Sequence, residues 1–123
     1  SRVSKDNGAR IHQWDWWNND NQKWYIEPLG NGYYKITAKH SGKVLDVSGV
    51  SQAYGAYIHQ WDWWNGDNQK WYIEPLGNGY YNIKAKHSRQ CLDVYYGLWD
   101  NGANFIQWPC HGGDNQKFSI NSL

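Results

Sequence analysis

The sequence predicts an all-β fold built from three equivalent units, and three observations support that prediction. The segment Ile58–Trp71 recurs almost unchanged as Ile11–Trp24 and in a degenerate form as Phe105–Phe118, at a constant step of 47 residues. Apolar stretches are short and are separated by turn residues, and no window keeps a helical period for three turns. Three copies at one period indicate three structural units with up to three equivalent sites.

Each unit is expected to contain about four strands. One successive set of these strands is predicted at Ala56–Trp61, Lys70–Pro75, Tyr80–Ala85 and Gln90–Val94. The Asn78-Gly79 pair between two apolar stretches is the strongest short-range signal for a β-hairpin. An Asn-Gln-Lys tripeptide precedes an aromatic residue in every unit and is predicted to form a tight turn that leads this ring into the core. These rings are Trp24, Trp71 and Phe118.

The chain is expected to be one domain over residues 1–123, with repeats at approximately 1–29, 30–76 and 77–123. Three complete units would need 141 residues, which is 18 more than the 123 present. The hairpin segment found as Gly30–Val47 and Gly77–Val94 has no third copy, so the first repeat lacks its N-terminal hairpin. We expect the parent polypeptide to begin upstream with a further domain; the alternative is a natural protein that lacks or swaps this hairpin.

Composition limits the classes of partner. Lys and Arg number 12 against 11 Asp and Glu, so charge gives no reason to expect nucleic acid as a partner. There is no long apolar run and no signal-like segment, so the sequence predicts no insertion into a membrane. Ten Trp and ten Tyr accompany a mean hydropathy of -0.93. This combination predicts an aromatic-rich core and surface rings suited to polar ligands that also carry apolar faces.

The two cysteines, Cys91 and Cys110, have two interpretations from the residues alone. They are consistent with one disulfide and an oxidising, extracellular compartment. The alternative is a pair of buried free thiols.

Three linked motifs resemble those of the ricin B-type lectins and the family-13 carbohydrate-binding modules. The first is the threefold Q-x-W, at Gln22-Lys23-Trp24, Gln69-Lys70-Trp71 and, degenerate, Gln116-Lys117-Phe118. The second is Val44-Leu45-Asp46-Val47, repeated as Cys91-Leu92-Asp93-Val94, and the third is the I-x-x-W of Ile58–Trp61. The resemblance covers the whole chain and implies a β-trefoil with a shallow sugar site on the outside of each unit. It also implies a Cys91–Cys110 disulfide, which Val44 and Trp63 replace by packing in the second unit.

The resemblance implies a set of sugar-binding residues at matching positions. A carboxylate accepts hydroxyl hydrogen bonds, an aromatic ring stacks on the sugar face and an Asn amide completes the site. The second unit offers Asp46, Trp61 and Asn68 with His59 at the flank, and Trp64 extends the platform. The third offers Asp93, Trp108, Asn115 and His111, with Ile106 in the position of His59. The first offers Trp14 and Asn21, while Gln22, Gln69 and Gln116 are expected to orient the Asn or Asp in each unit.

Each assignment has a structural alternative. Asp46 and Asp93 would serve equally to cap the following loop in an Asx-turn. Trp61 and Trp108 would serve as core rings, and His59 as a packed strand residue. A glycosidase needs two carboxylates across the scissile bond, but Asp62 is replaced by Pro109 in the third unit and Asp67 recurs as a turn residue.

The sequence therefore predicts a secreted, non-catalytic lectin domain that uses no cofactor and no metal. Its expected partners are mono- or oligosaccharides, glycoconjugates or plant polysaccharide, with galactose-like sugars favoured. Two settings remain open: the targeting module of a secreted glycoside hydrolase, and the receptor-binding part of a toxin or haemagglutinin. A protein-binding trefoil is the alternative from another class.

Overall fold

The computed structural model describes residues 12–13, 24–39, 41–94 and 103–120, which form one sheet of ten strands. These strands are β1 (His12–Gln13), β2 (Trp24–Gly30), β3 (Tyr33–Ala38), β4 (Val44–Val47), β5 (Ile58–Trp61), β6 (Trp71–Gly77), β7 (Tyr80–Ala85), β8 (Cys91–Val94), β9 (Ala103–Trp108) and β10 (Phe118–Ser119). The four strands predicted between Ala56 and Val94 are all present, as β5, β6, β7 and β8, with ends that differ by up to two residues.

The sheet has the order β1-β9-β8-β7-β6-β3-β4-β5, with β10 on β7 and β2 on β3, and every pairing is antiparallel. The register repeats at the 47-residue step. Asp46 lies opposite His59 where β4 meets β5, and Asp93 lies opposite Ile106 where β8 meets β9. Equivalent strand pairs therefore place equivalent side chains at the second and third sites.

The predicted Asn-Gly turns are both present as hairpins. Asn78 and Gly79 have φ of 57° and 82°, and Asn31 and Gly32 have φ of 55° and 84°. Two positive φ angles at the centre of a two-residue loop are the signature of a type I′ turn, which matches the right-handed twist of the flanking strands. The hairpins β2–β3 and β6–β7 follow from this local chemistry.

The core has an aliphatic centre and an aromatic rim, so the expectation of an aromatic-rich core is only half right. Among the described residues, the buried cluster contains one aromatic residue, Trp71. Its other members are Ile36, Leu45, Val47, Ile58, Ile73, Ile83, Ala85 and Leu92. Trp71 is completely buried and donates a hydrogen bond from Nε1 to the Leu45 carbonyl at 3.2 Å. Trp24 and Phe118 are partly buried and pack against the same cluster.

The Asn-Gln-Lys turns and the disulfide are also present. Short 3-10 turns at Asp67–Gln69 and Asp114–Gln116 precede β6 and β10. A disulfide joins Cys91 on β8 to Cys110 just after β9, which confirms the expected pairing. It fixes the loop that carries the third-repeat turn to the strand that carries Asp93.

Candidate functional site

Asp93 is the centre of the candidate site in the third repeat. It lies on β8 and is only 2% exposed. Both of its carboxylate oxygens accept hydrogen bonds from side chains. Asn115 Nδ2 donates to Oδ1 at 2.7 Å, and Gln116 Nε2 donates to Oδ2 at 2.8 Å. These charge-assisted bonds compensate the burial and hold the carboxylate in one orientation.

Gln116 connects this carboxylate to the adjoining loop. Its Nε2 also donates to the Pro109 carbonyl at 3.1 Å, and its Oε1 accepts a hydrogen bond from the His111 backbone N–H at 3.0 Å. The side chain is completely buried, so each of its polar atoms needs a partner in the protein. Gln116 thereby sets the position of Asp93 relative to the 109–113 segment.

An open cavity of about 470 Å³ lies over Asp93. It is lined by Tyr54, Gly55, Tyr57, Asp93, Ile106, Trp108, His111 and Asn115. Trp108, at the end of β9, is 40% exposed, and its ring centroid lies 5.8 Å from that of Tyr54. The cavity thus has aromatic walls and an oriented carboxylate at its base, and its size falls within the range of about 300–1,000 Å³ usual for small-molecule sites.

Tyr54 and Tyr57 belong to this cavity although sequence reasoning did not select them. They come from the loop before β5, in the second repeat, and Gln107 on β9 holds this loop. Gln107 Nε2 donates to the Ser51 and Ala53 carbonyls, both at 2.9 Å, and its backbone carbonyl accepts from Gly55 N–H at 2.8 Å. One signal was available: the positions 47 residues either side of Tyr54 are Asn, so the aromatic ring is a departure from the repeat.

The second-repeat site contains the equivalent carboxylate with a different partner. Asp46 Oδ2 accepts from Gln69 Nε2 at 2.8 Å, as Asp93 does from Gln116, but Asp46 Oδ1 lies 2.8 Å from His59 Nε2. An ionised carboxylate only accepts, so His59 carries a proton on Nε2 in this contact. The imidazole also stacks on Trp61, with ring centroids 5.3 Å apart and planes 21° from parallel. His59 therefore contacts both groups that the sequence assigns to a sugar.

Asn68 does not bind Asp46. Its Nδ2 donates instead to the Val47 carbonyl at 3.0 Å, and its Oδ1 is buried with no hydrogen-bond partner. At the equivalent point of the third repeat, Asn115 binds Asp93 and is partly exposed. Because His59 Nε2 is hydrogen-bonded to Oδ1 of Asp46, the Asn68 amide does not donate to that oxygen.

The aromatic residues near the second site are exposed. Trp61 is 38% exposed and Trp64 is 53% exposed. The Trp64 indole lies against Gly66, where an added Cβ would be 2.4 Å from the ring. The His111 ring lies against Gly113 in the same way, and an added Cβ there would be 2.6 Å from that ring. Trp63 is partly buried beneath the Lys35 ammonium, which lies 5.0 Å from its ring centroid. Its role as a substitute for the disulfide stays a prediction.

Trp14, Asn21 and Gln22 of the first repeat lie outside the described residues. Within the described residues, Asp46 and Asp93 bind side chains from other segments rather than the backbone of the following loop.

The described part of the chain contains no group of three or more His, Cys, Asp or Glu that could hold a metal ion. Nor does it include a helix long and apolar enough to cross a membrane.

Comparison with known proteins identifies the family. The sequence profile described as "Ricin-type beta-trefoil lectin domain-like" matches residues 1–61, 28–108 and 67–123. The chain belongs to this family. No curated protein sequence gives a significant match.

Solved structures confirm the β-trefoil. The designed threefold-symmetric protein ThreeFoil is 44% identical with a TM-score of 0.95, over 98% of this chain and 86% of that one. The exo-β-1,3-galactanase 1,3Gal43A from Clostridium thermocellum is 36% identical with a TM-score of 0.91. That match covers 94% of this chain but only 25% of the galactanase. The Polyporus squamosus lectin, bound to Neu5Acα2-6Galβ1-4GlcNAc, is 26% identical with a TM-score of 0.65, over 76% of this chain and 33% of the lectin.

Proposed function

We propose that this trefoil is a non-catalytic carbohydrate-binding module whose third-repeat site binds galactose-like or related sugars. The observation that supports this most directly is the oriented carboxylate of Asp93 at the base of an aromatic-walled cavity. A carboxylate offers about four lone-pair sites, and Asn115 and Gln116 use two of them. The remaining two suit a pair of neighbouring sugar hydroxyls, while the exposed Trp108 ring suits the C–H face of a pyranose.

The family supports carbohydrate binding, and the galactanase relative favours one setting. We propose a polysaccharide-targeting module of a secreted glycoside hydrolase, with a galactan as the class of ligand. This chain is 36% identical in sequence to that enzyme over 94% of its own length. The Cys91–Cys110 disulfide agrees with a secreted protein, since disulfides persist in oxidising compartments. The receptor-binding part of a toxin is the second setting.

Binding at a single shallow site is expected to be weak. Useful retention on a glycan surface would come from several sites acting together, which raises avidity without new contacts. The second-repeat site has the same carboxylate and an exposed Trp61, so it is the candidate for a second point of attachment.

Titration calorimetry with galactose, lactose and a β-1,3-galactan oligosaccharide tests the proposal. We expect Asp93→Ala to remove the third-repeat site and Asp46→Ala to remove any binding at the second, with unchanged circular dichroism. Asp114→Ala is the matched control, because this carboxylate lies on the exposed turn beside Asn115 and, among the described residues, forms an ion pair with Lys117 alone. Wild-type binding by the Asp46/Asp93 double variant would refute the site assignment. No signal with any sugar at millimolar concentration would favour a protein-binding trefoil.

A further inference from the structure

A second cavity of about 250 Å³ lies where the β2–β3 hairpin meets the β6–β7 hairpin. It is lined by Tyr33, Tyr72, Lys84, Ala85, Lys86 and Arg89. None of these residues lines the cavity over Asp93. The volume is below the usual range for drug-sized ligands, so it suits one sugar ring rather than an extended chain.

Tyr72 supplies a fixed aromatic wall. It is 40% exposed, and the edge-to-face contact with Tyr33 has a centroid distance of 6.2 Å. The ring also packs against Gly32 of the type I′ turn, where an added Cβ would lie 3.1 Å from Tyr72 Cε1. Because Tyr72 is held from two sides, its exposed surface is available without rearrangement.

Three cations line this cavity together with Tyr72, and one of them has no partner among the described residues. Lys84 pairs with Glu74 at 3.1 Å. Lys86 lies 3.5 Å from Asp67 and 5.0 Å from the Tyr33 ring centroid. The Arg89 guanidinium makes no ion pair or hydrogen bond with the described residues. A guanidinium presents parallel N–H donors that match a carboxylate or sulfate in two-point contact.

Asp67 does not neutralise the cavity. Partial desolvation raises the pKa of Asp67, but the hydrogen bonds and charges of Lys70 and Lys86 outweigh it and lower the pKa overall. Asp67 therefore stays ionised at neutral pH and is divided between two lysines, at 3.4 Å and 3.5 Å. The three cations that line the cavity have two carboxylate partners, Glu74 and Asp67, so the lining keeps an excess of positive charge.

Comparison with the preceding repeat shows that two of these cations are departures from it. The segments Ile11–Ser41 and Ile58–Ser88 lie one 47-residue step apart and match at 28 of 31 positions. Lys84 replaces Thr37 at one of the three differences. Immediately after these segments, Arg89 replaces Gly42. Arg89 has φ of 60° and Gly42 has φ of 74° in the same turn, so arginine occupies a left-handed position that favours glycine. A strained residue that adds an unpaired cation to a cavity points to a functional role.

We propose that this cavity is a sugar subsite distinct from the Asp46 and Asp93 sites, which binds an anionic pyranose through Arg89 and Lys84 with its ring against Tyr72. The anion is a carboxylate, as in a uronate, or a sulfate ester. The subsite is separate from Asp93, so it does not depend on the third-repeat site, and it would let the module distinguish acidic from neutral polysaccharide.

The test is an NMR titration of the full chain, in an Asp93→Ala background, with glucuronate, galactose 6-sulfate, galactose, sodium acetate and sodium sulfate. We expect saturable shifts of the Tyr72 and Arg89 signals with at least one anionic sugar and none with galactose. The chain itself provides the matched variants, Arg89→Gly and Lys84→Thr, which restore the residues of the preceding repeat. Arg89→Gly should weaken binding about tenfold or more, as expected for a two-point charge-assisted contact, without lowering the melting temperature.

The outcomes separate the alternatives. Preference for glucuronate or for the sulfated sugar identifies the anion. Equal binding of acetate or sulfate alone would overturn the proposal, because the ring would then contribute nothing. Absence of shifts with both anionic sugars, or unchanged affinity in Arg89→Gly, would also overturn it. Since Asp93→Ala removes the third-repeat site, failure here is distinguishable from failure of the proposed function, which is measured with wild-type protein and neutral sugars.

Discussion

Replacement of His59 by isoleucine should increase sugar binding at the second-repeat site. His59 Nε2 lies 2.8 Å from Asp46 Oδ1, and its ring stacks on Trp61. A sugar that stacks on that face of Trp61 must displace the imidazole, which breaks the hydrogen bond between His59 and Asp46. Isoleucine is the residue at the equivalent position of the third repeat, where Ile106 leaves Asp93 Oδ1 to Asn115. The substitution therefore recreates an arrangement that this fold already contains.

The size of the effect follows from the hydrogen bond that is removed. A buried hydrogen bond to a charged group contributes about 1.5–3 kcal/mol. If a sugar must replace this bond, wild-type affinity at the second site is reduced by a factor of about 10–150. His59→Ile should recover much of that factor.

The assay is calorimetric titration in an Asp93→Ala background, which isolates the second site. The reciprocal variant, Ile106→His in the otherwise wild-type chain, is the matched control and should weaken the third-repeat site. Thermal melting verifies that each variant is folded. Unchanged affinity in both variants would show that His59 does not block the second-repeat site. Weaker binding in His59→Ile would show instead that His59 contacts the sugar directly, as the family resemblance implies.

Three further predictions concern stability and site geometry. Cys110→Ser should lower the free energy of unfolding by about 3 kcal/mol, because the disulfide links two residues that are 19 positions apart in the sequence. Urea denaturation measures this change, and a loss below about 1 kcal/mol would contradict the prediction. Trp71→Ala should cost about 3–5 kcal/mol, since the ring is completely buried; a near-wild-type melting temperature would show that the core is not centred there. Gly113→Ala should weaken sugar binding with little loss of stability. The new Cβ would lie 2.6 Å from the exposed His111 ring and 2.9 Å from Asn115 Oδ1, so both side chains must shift. Wild-type affinity would show that the position of Asn115 is not critical for binding.

The fold was largely predictable because its determinants are local or periodic. The Asn-Gly turns require positive φ whatever surrounds them, and the 47-residue step places Asp46 and Asp93 at equivalent points of equivalent strand pairs. The core was less predictable. Trp24 and Phe118 carry the same motif as Trp71, yet only Trp71 is completely buried.

The site was predictable in its residues but not in its contacts. Repetition alone implies that Asn68 and Asn115 behave alike, but Asn115 binds Asp93 and Asn68 binds the Val47 carbonyl. This difference depends on His59, whose geometry relative to Asp46 is set by strand pairing. Tyr54 enters the third-repeat cavity because Gln107 holds a loop from the preceding repeat. Such contacts between repeats are long-range and leave no period in the sequence.

A crystal of the full chain soaked with lactose would show whether the third-repeat cavity binds sugar. We expect density for one pyranose ring in this cavity, stacked on Trp108, with two hydroxyls within hydrogen-bond distance of the Asp93 carboxylate. Sugar bound only elsewhere, or an empty Asp93 cavity at saturating lactose and at saturating galactan oligosaccharide, would contradict this expectation.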